Sequence, residues 1–262
     1  MRLIRYKTGN DAPRYGWIYG DMVGPVEGSL FGEFRRLEAE IPMHMVKLLA
    51  PVLPGKIICV GRNYAEHARE QNVEVPEIPL LFMKPPSAVI GPGDTILLPP
   101  QSRQVEHEGE LVVVIGRRGR WIPAEDALHF VMGFTVGNDV TARDLQRRDG
   151  QWTRGKGFDT FCPLGPWIET ELDPADVMVQ TRVNGEMRQM ASSREMIFPV
   201  EQLIAFTSSV MTLEPGDVIF TGTPAGIGAL HAGDTVEVTV EGIGSLSNPV
   251  AAAEPAASAA NK

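Results

Sequence analysis

Glu108 and Glu110, two residues apart, and Asp139 further along offer the oxygen donors that a hard divalent cation such as Mg²⁺ or Ca²⁺ takes. Residues 105–116, VEHEGELVVVIG, end in a β-branched run that reads as a strand. Alternate residues of a strand share a face, so Glu108 and Glu110 project together, with Glu106 next along the same side. Carboxylates crowded in this way repel, and their pKa values rise unless something positive sits between them. A bound cation answers that need, and a solvated acidic strand edge would show the same spacing. In residues 131–146, VMGFTVGNDVTARDLQ, an apolar strand ends in polar groups. Asp139 at its end can complete a three-carboxylate site or cap the following helix.

A second pair could move a proton. His67 and Glu70 in GRNYAEHARE, residues 61–70, are three apart and share one face of a short helix. A carboxylate bonded to one imidazole nitrogen fixes the tautomer and makes the other nitrogen more basic. A surface ion pair has the same spacing. His107 alternates with the glutamates and should face the other way. Lys156, between two glycines, can approach a ligand closely, and Lys84 closes an apolar strand. Arg143 and Gln146 share a helix face. Thr223 sits in TGTPAGIG, residues 221–228, which lacks the ending of a phosphate loop. With 33 acidic and 24 basic residues the net charge is −9, so an anionic substrate would need such local cations.

The elements that must position these groups follow from pattern. Strands are expected at 56–60, 80–83, 111–115, 134–137, 177–183, 218–221 and 235–240. Helices are expected at 65–71, 124–130, 141–148 and 200–211. The last helix places Val200, Leu203, Ile204, Thr207 and Val210 on one stripe. The spacing is not a regular βαβ alternation. Residues 1–50 read as a small β-rich unit with strands near 3–6, 16–19 and 22–26 and a short helix at 43–49. Pro51 and Pro54 mark a boundary before a catalytic domain at 56–250. The Ala-rich end, 251–262, reads as a disordered tail. The acidic balance argues against nucleic-acid binding, and no apolar run approaches a membrane span. Two cysteines, Cys59 and Cys162, make no disulfide framework and point to a reducing cytoplasm.

Six blocks in order resemble the fumarylacetoacetate hydrolase family: GRNYAEHARE, LFMKP, VEHEGELVVVIG, GFTVGNDVTARDLQ, KGFDTFCPLGP and PGDVIFTGTPAGIG. They run from residue 61 to 228. The resemblance implies an α+β, mainly β fold, a mixed β-roll or sandwich, and commonly a homodimer. It implies Mg²⁺ or Mn²⁺ held by Glu108, Glu110 and Asp139, with Glu106 supporting these ligands. It implies His67, Glu70 and Lys156 as catalytic, and Lys84, Arg143, Gln146 and Thr223 as substrate-lining.

The chemistry implied is cleavage of the C3–C4 bond of a 2,4-dioxo acid, an acylpyruvate or fumarylpyruvate. His67 would activate water, the metal would stabilise the enolate, and pyruvate would leave. The same electron sink would serve oxaloacetate decarboxylation, or isomerisation of a 2-hydroxyhepta-2,4-diene-1,7-dioate. A metal-binding scaffold without turnover is the non-enzymatic alternative.

Overall fold

A computed structural model describes residues 1–254. Strand is the commonest regular structure, as the Gly- and Pro-rich composition favours. The strands that matter here are β1 (Arg2–Lys7), β2 (Arg14–Tyr19), β3 (Met22–Gly28), β4 (Ile57–Gly61) and β5 (Leu80–Lys84), then β6 (Val105–His107), β7 (Gly109–Ile115), β8 (Val131–Asn138) and β9 (Cys162–Glu169). They are followed by β10 (Met178–Val183), β11 (Glu186–Ser192), β12 (Val218–Phe220), β13 (Thr235–Val240) and β14 (Gly244–Ala252). The helices are α1 (Ala65–Glu70), α2 (Arg143–Asp149), α3 (Thr153–Lys156) and α4 (Val200–Val210).

One large mixed sheet carries the order β3-β2-β1-β9-β8-β7-β12-β4-β5, with β12 and β4 parallel and the other pairs antiparallel. A second sheet, β14-β13-β10-β11, packs over it. The reason is legible in β7. Leu111, Val113 and Ile115 meet Val179, Val238 and Val240 of the second sheet together with Leu203 and Ile204 of α4. Val112 and Val114 point the other way, onto Leu3, Ala50, Val52, Cys162 and Leu164. A strand buried on both faces carries a continuous apolar run, not an alternating one. The fold is therefore mainly β, sandwich-like, with the helices at its margin.

The N-terminal strands extend the large sheet through β1, whose Arg2 and Leu3 pair with Glu169 and Ile168 of β9. Three local expectations are corrected. Residues 43–49 form one 3₁₀ turn, Met43–Met45, and then a strand, Lys47–Leu49, that pairs with β1. Val210, the last residue of α4, is exposed while Val200, Leu203, Ile204 and Thr207 are buried. β14 continues through Ala252, paired with Ile96–Leu98, so the tail does not begin at 251. Residues 255–262 of that tail lie outside the described residues. Strands β9, β11 and β14 lack a clean period-2 pattern and are not among the expected strands; their pairing defines them. Among the described residues no helix is long and apolar enough to cross a membrane.

Candidate active site

Glu108 occupies the break between β6 and β7, Glu110 is the second residue of β7, and Asp139 follows β8 directly. Two bonds lock them together. The Asp139 N–H donates to the Glu108 carbonyl at 2.8 Å, and the Glu108 N–H donates to Oδ1 of Asn138 at 2.9 Å. One oxygen from each of the three carboxylates then lies within 4.8 Å of the others. All three side chains are buried, so this is not a solvated strand edge. Asp139 does not cap α2 either, since Ala142 holds the cap position.

The surrounding charges explain how such a cluster persists. Lys156 Nζ donates to Glu108 Oε2 at 2.8 Å and to Asp139 Oδ2 at 2.6 Å. Arg143 donates from Nε to Glu106 at 2.7 Å, from Nη1 to Gln146 Oε1 at 2.5 Å, and from Nη2 to Glu108. Lys84 Nζ is 2.6 Å from Asp139 Oδ1. Four carboxylates, Glu106 included, thus face three cations. Burial would raise the Glu108 pKa, but Lys156 and then Arg143 hold it far below the carboxylate range. Among the described residues Glu110 has no cationic partner in contact. Burial, then Asp139 and Glu108, push its pKa well above the usual value, opposed by the Lys156 charge and the Gly222 N–H bond at 2.7 Å. That N–H is aimed by a backbone at φ +99°, where any Cβ would strike Asn63.

The donor set fits a hard cation. Oxygens on opposite sides of a six-coordinate Mg²⁺ are about 4.2 Å apart, within the observed spread. Oδ1 of Asp139 has only the Lys84 ammonium beside it, at 2.6 Å, and Glu110 has no cation in contact among the described residues. A metal bound by this set would have a pH-dependent affinity. Below its raised pKa Glu110 holds a proton that an incoming ion must displace. Mn²⁺ affinity, measured by titration calorimetry, is expected to fall by up to about tenfold per pH unit below that pKa. Proton release on binding should be visible in buffers of different ionisation enthalpy.

His67 is buried on α1 and faces this cluster. Its Nδ1–H donates to Glu70 Oε2 at 3.2 Å, and its Nε2 accepts from the Gln71 amide at 3.1 Å. Glu70 Oε1 accepts the Gly226 N–H at 3.1 Å, which ties α1 to the 221–228 loop. Burial would raise the Glu70 pKa, yet the bonds from His67 and Gly226 bring it below the ordinary value. His67, Glu108, Glu110, Arg143, Gln146, Lys156 and Thr223 line one cleft with Phe82 and Trp152. Its free volume is about 10 Å³, roughly that of one water. Substrate entry therefore requires side chains to move.

Lys84 departs from its expected place among the substrate-lining residues. Its three N–H groups go to the carbonyls of Val140, Lys156 and Phe161 at 3.0, 2.7 and 2.8 Å. It stands behind Asp139, without exposure, and does not line the cleft. Lys84→Met should then leave Asp139 and three carbonyls uncompensated, at about 3–5 kcal/mol of stability in denaturant titration. Thr223 lines the cleft, but its hydroxyl is occupied, donating to the Gly109 carbonyl at 2.9 Å and accepting from Gln189 Nε2 at 2.7 Å.

Two positioning groups escaped the sequence reading. Gln189 on β11 also accepts the Gly109 N–H at 3.0 Å and contacts Nδ1 of His107 at 3.1 Å, on the face away from the carboxylates. Asn63 bonds the Thr221 carbonyl at 2.7 Å and both backbone groups of Phe198. No residue-type signal marks either, because each works through long-range backbone contacts.

A family model described as fumarylacetoacetate (FAA) hydrolase C-terminal matches residues 56–251, and one described as Rv2993c-like, N-terminal, matches residues 1–51. An uncharacterized protein of Archaeoglobus fulgidus is 56% identical over 80% of this chain and 84% of its own. Oxaloacetate tautomerase Fahd2a, mitochondrial, of Rattus norvegicus is 47% identical over 82% of this chain and 74% of its own. The crystal structure of 5-carboxymethyl-2-hydroxymuconate delta-isomerase from Mycobacterium smegmatis superposes with a TM-score of 0.91 at 48% identity, covering 97% of this chain and 100% of that one. Since the first of these matches runs through most of the residues and all of the site, the protein belongs to the fumarylacetoacetate hydrolase family.

Proposed function

We propose that the protein interconverts the keto and enol forms of a 2-oxo dicarboxylate of the oxaloacetate type. The observation that carries this reading is that His67, backed by Glu70, and the Lys156 ammonium open on the same narrow cleft. Mg²⁺ or Mn²⁺ held by Glu108, Glu110 and Asp139 would supply a Lewis acid that stabilises enolate charge.

The chain's own residues do the rest. Glu70 keeps the His67 proton on Nδ1, so Nε2 presents a lone pair. Gln71 leaves that atom as substrate enters, and Nε2 takes the C3 proton. The C–H electron pair becomes the C2–C3 double bond, and charge collects on the 2-oxygen. Burial lowers the Lys156 pKa, but Asp139 and Glu108 outweigh it, so this ammonium stays charged and faces the developing oxyanion. Arg143 uses three of its five N–H groups on Glu106, Glu108 and Gln146. Two remain for the substrate carboxylate.

Similarity to a tautomerase and to an isomerase supports proton transfer over bond cleavage. C–C hydrolysis of an acylpyruvate is the second reading, favoured by the His67–Glu70 pair, which could equally deprotonate a water. Decarboxylation of oxaloacetate needs no such base. The test is to follow purified, Mg²⁺-loaded protein on enol-oxaloacetate by ultraviolet absorbance, and on acetylpyruvate by release of pyruvate. Accelerated ketonisation without pyruvate release supports the proposal. Cleavage of acetylpyruvate with no effect on oxaloacetate would make the protein a hydrolase, and inertness toward both would leave the scaffold.

A further inference from the structure

The cleft opens outward into a second chamber of about 270 Å³ that shares Arg62, Gln71, Arg143, Gln146 and Trp152 with it and adds Arg147 at its mouth. Among the described residues no carboxylate lines this chamber. In a chain of net charge −9, three arginines around one space with no acidic neighbour in its wall is a built electropositive site.

Arg62 is the telling member. It sits at φ +59°, a left-handed conformation uncommon outside glycine, directly after β4. The neighbouring Asn63 holds the turn through its three bonds to Phe198 and Thr221. A backbone conformation maintained at such a position directs the side chain that follows from it. The guanidinium carbon lies over the Trp152 ring, 5.6 Å from its centroid, a cation–π contact. Its Nε is buried and has no hydrogen-bond partner, and no carboxylate pairs with it among the described residues. Burial and then the Arg143 charge lower its pKa. Arg143 cannot fill this role alone, because Glu106 and Glu108 already claim it.

We infer that Arg62 is a specificity-determining residue, taking the distal carboxylate of a 2-oxo dicarboxylate in the outer chamber, with Arg147 adding charge at its mouth. The inference rests on the proposed binding of a 2-oxo acid in the inner cleft and deepens it. The 2-oxo-carboxylate end lies at Lys156 and the carboxylate cluster, and the second carboxylate selects dicarboxylates over neutral-ended analogues.

The experiment compares wild type, Arg62→Met, Arg62→Lys and Arg147→Met, all Mg²⁺-loaded. Oxaloacetate and acetylpyruvate are matched probes, the second ending in a neutral acetyl group. Oxalate, which fills only the inner end, is titrated by calorimetry. Arg62→Met is expected to raise the KM for oxaloacetate about 10- to 100-fold, the loss of one charge-assisted bond. Oxalate affinity and the KM or inhibition constant for acetylpyruvate should stay as in wild type. Arg62→Lys should recover part of the loss, and Arg147→Met should show a smaller loss of the same kind. An unchanged ratio of oxaloacetate to acetylpyruvate in Arg62→Met, with oxalate still binding, overturns the role of Arg62 alone. Failure of wild type to bind oxalate overturns the inner-cleft reading and this inference with it. Equal weakening of oxalate and oxaloacetate would place Arg62 at the inner end and refute the distal assignment.

Discussion

Glu110→Gln is expected to lower turnover about 10³-fold or more while making the ion-free protein more stable. The two effects have one cause. Glu110 is the carboxylate without a cation in contact, buried beside Asp139 and Glu108, and its pKa is displaced upward for that reason. A neutral amide of the same shape keeps the Gly222 N–H bond at Oε and removes the repulsion. It also removes one anionic ligand, so the added stability comes at the loss of the ion. Thermal unfolding with and without Mn²⁺ checks both halves. Wild type should gain stability as RT ln(1 + [L]/Kd), about 2.7 kcal/mol at a hundredfold excess over Kd. The variant should unfold at a higher temperature than ion-free wild type and gain little from Mn²⁺. A variant that is still stabilised by Mn²⁺ as wild type is would exclude Glu110 from the ligand set.

His67→Asn should cost about 10²–10⁴-fold in the rate of C3 proton transfer, the range of a general base. Exchange of the C3 hydrogens of oxaloacetate into D₂O, followed by NMR, reads that step directly and is blind to later cleavage. Glu70→Gln should cost less, because the imidazole remains and only its anionic partner is lost. Stability gives a second readout for Glu70. Its folded pKa lies below the unfolded one. The stabilisation is therefore fully present above the unfolded carboxylate pKa and is lost as pH falls through the lowered one. Glu70→Gln should remove that part of the acid dependence. If C3 exchange proceeds at the wild-type rate in His67→Asn, the base lies elsewhere in the cleft.

The strand carrying the glutamates was legible because β-branched residues and a period of two leave little choice of face. The helix bearing His67 and Glu70 was legible for the corresponding reason at i, i+3. Lys84 was misplaced because an apolar strand ending in a lysine reads the same whether the ammonium meets a ligand or a set of carbonyls. Arg62 was passed over, because nothing in GRNYAEHARE tells a guanidinium in a chamber from one in solvent.

Chain chemistry alone determined which side chains share an orientation: Glu108 with Glu110, His67 with Glu70, and the two apolar faces of β7. Covalent periodicity enforces the last two relations within a single element, whereas Glu108 sits in the break before β7 and is held beside Glu110 through its bonds with Asn138 and Asp139. Tertiary structure alone decided which charges meet. It brought Lys156 between Glu108 and Asp139, set Arg143 across Glu106 and Glu108, and left Glu110 and Arg62 without partners of opposite charge. Such pairings join residues distant in sequence, and their energies depend on desolvation, which exists only once the two sheets have closed over the site.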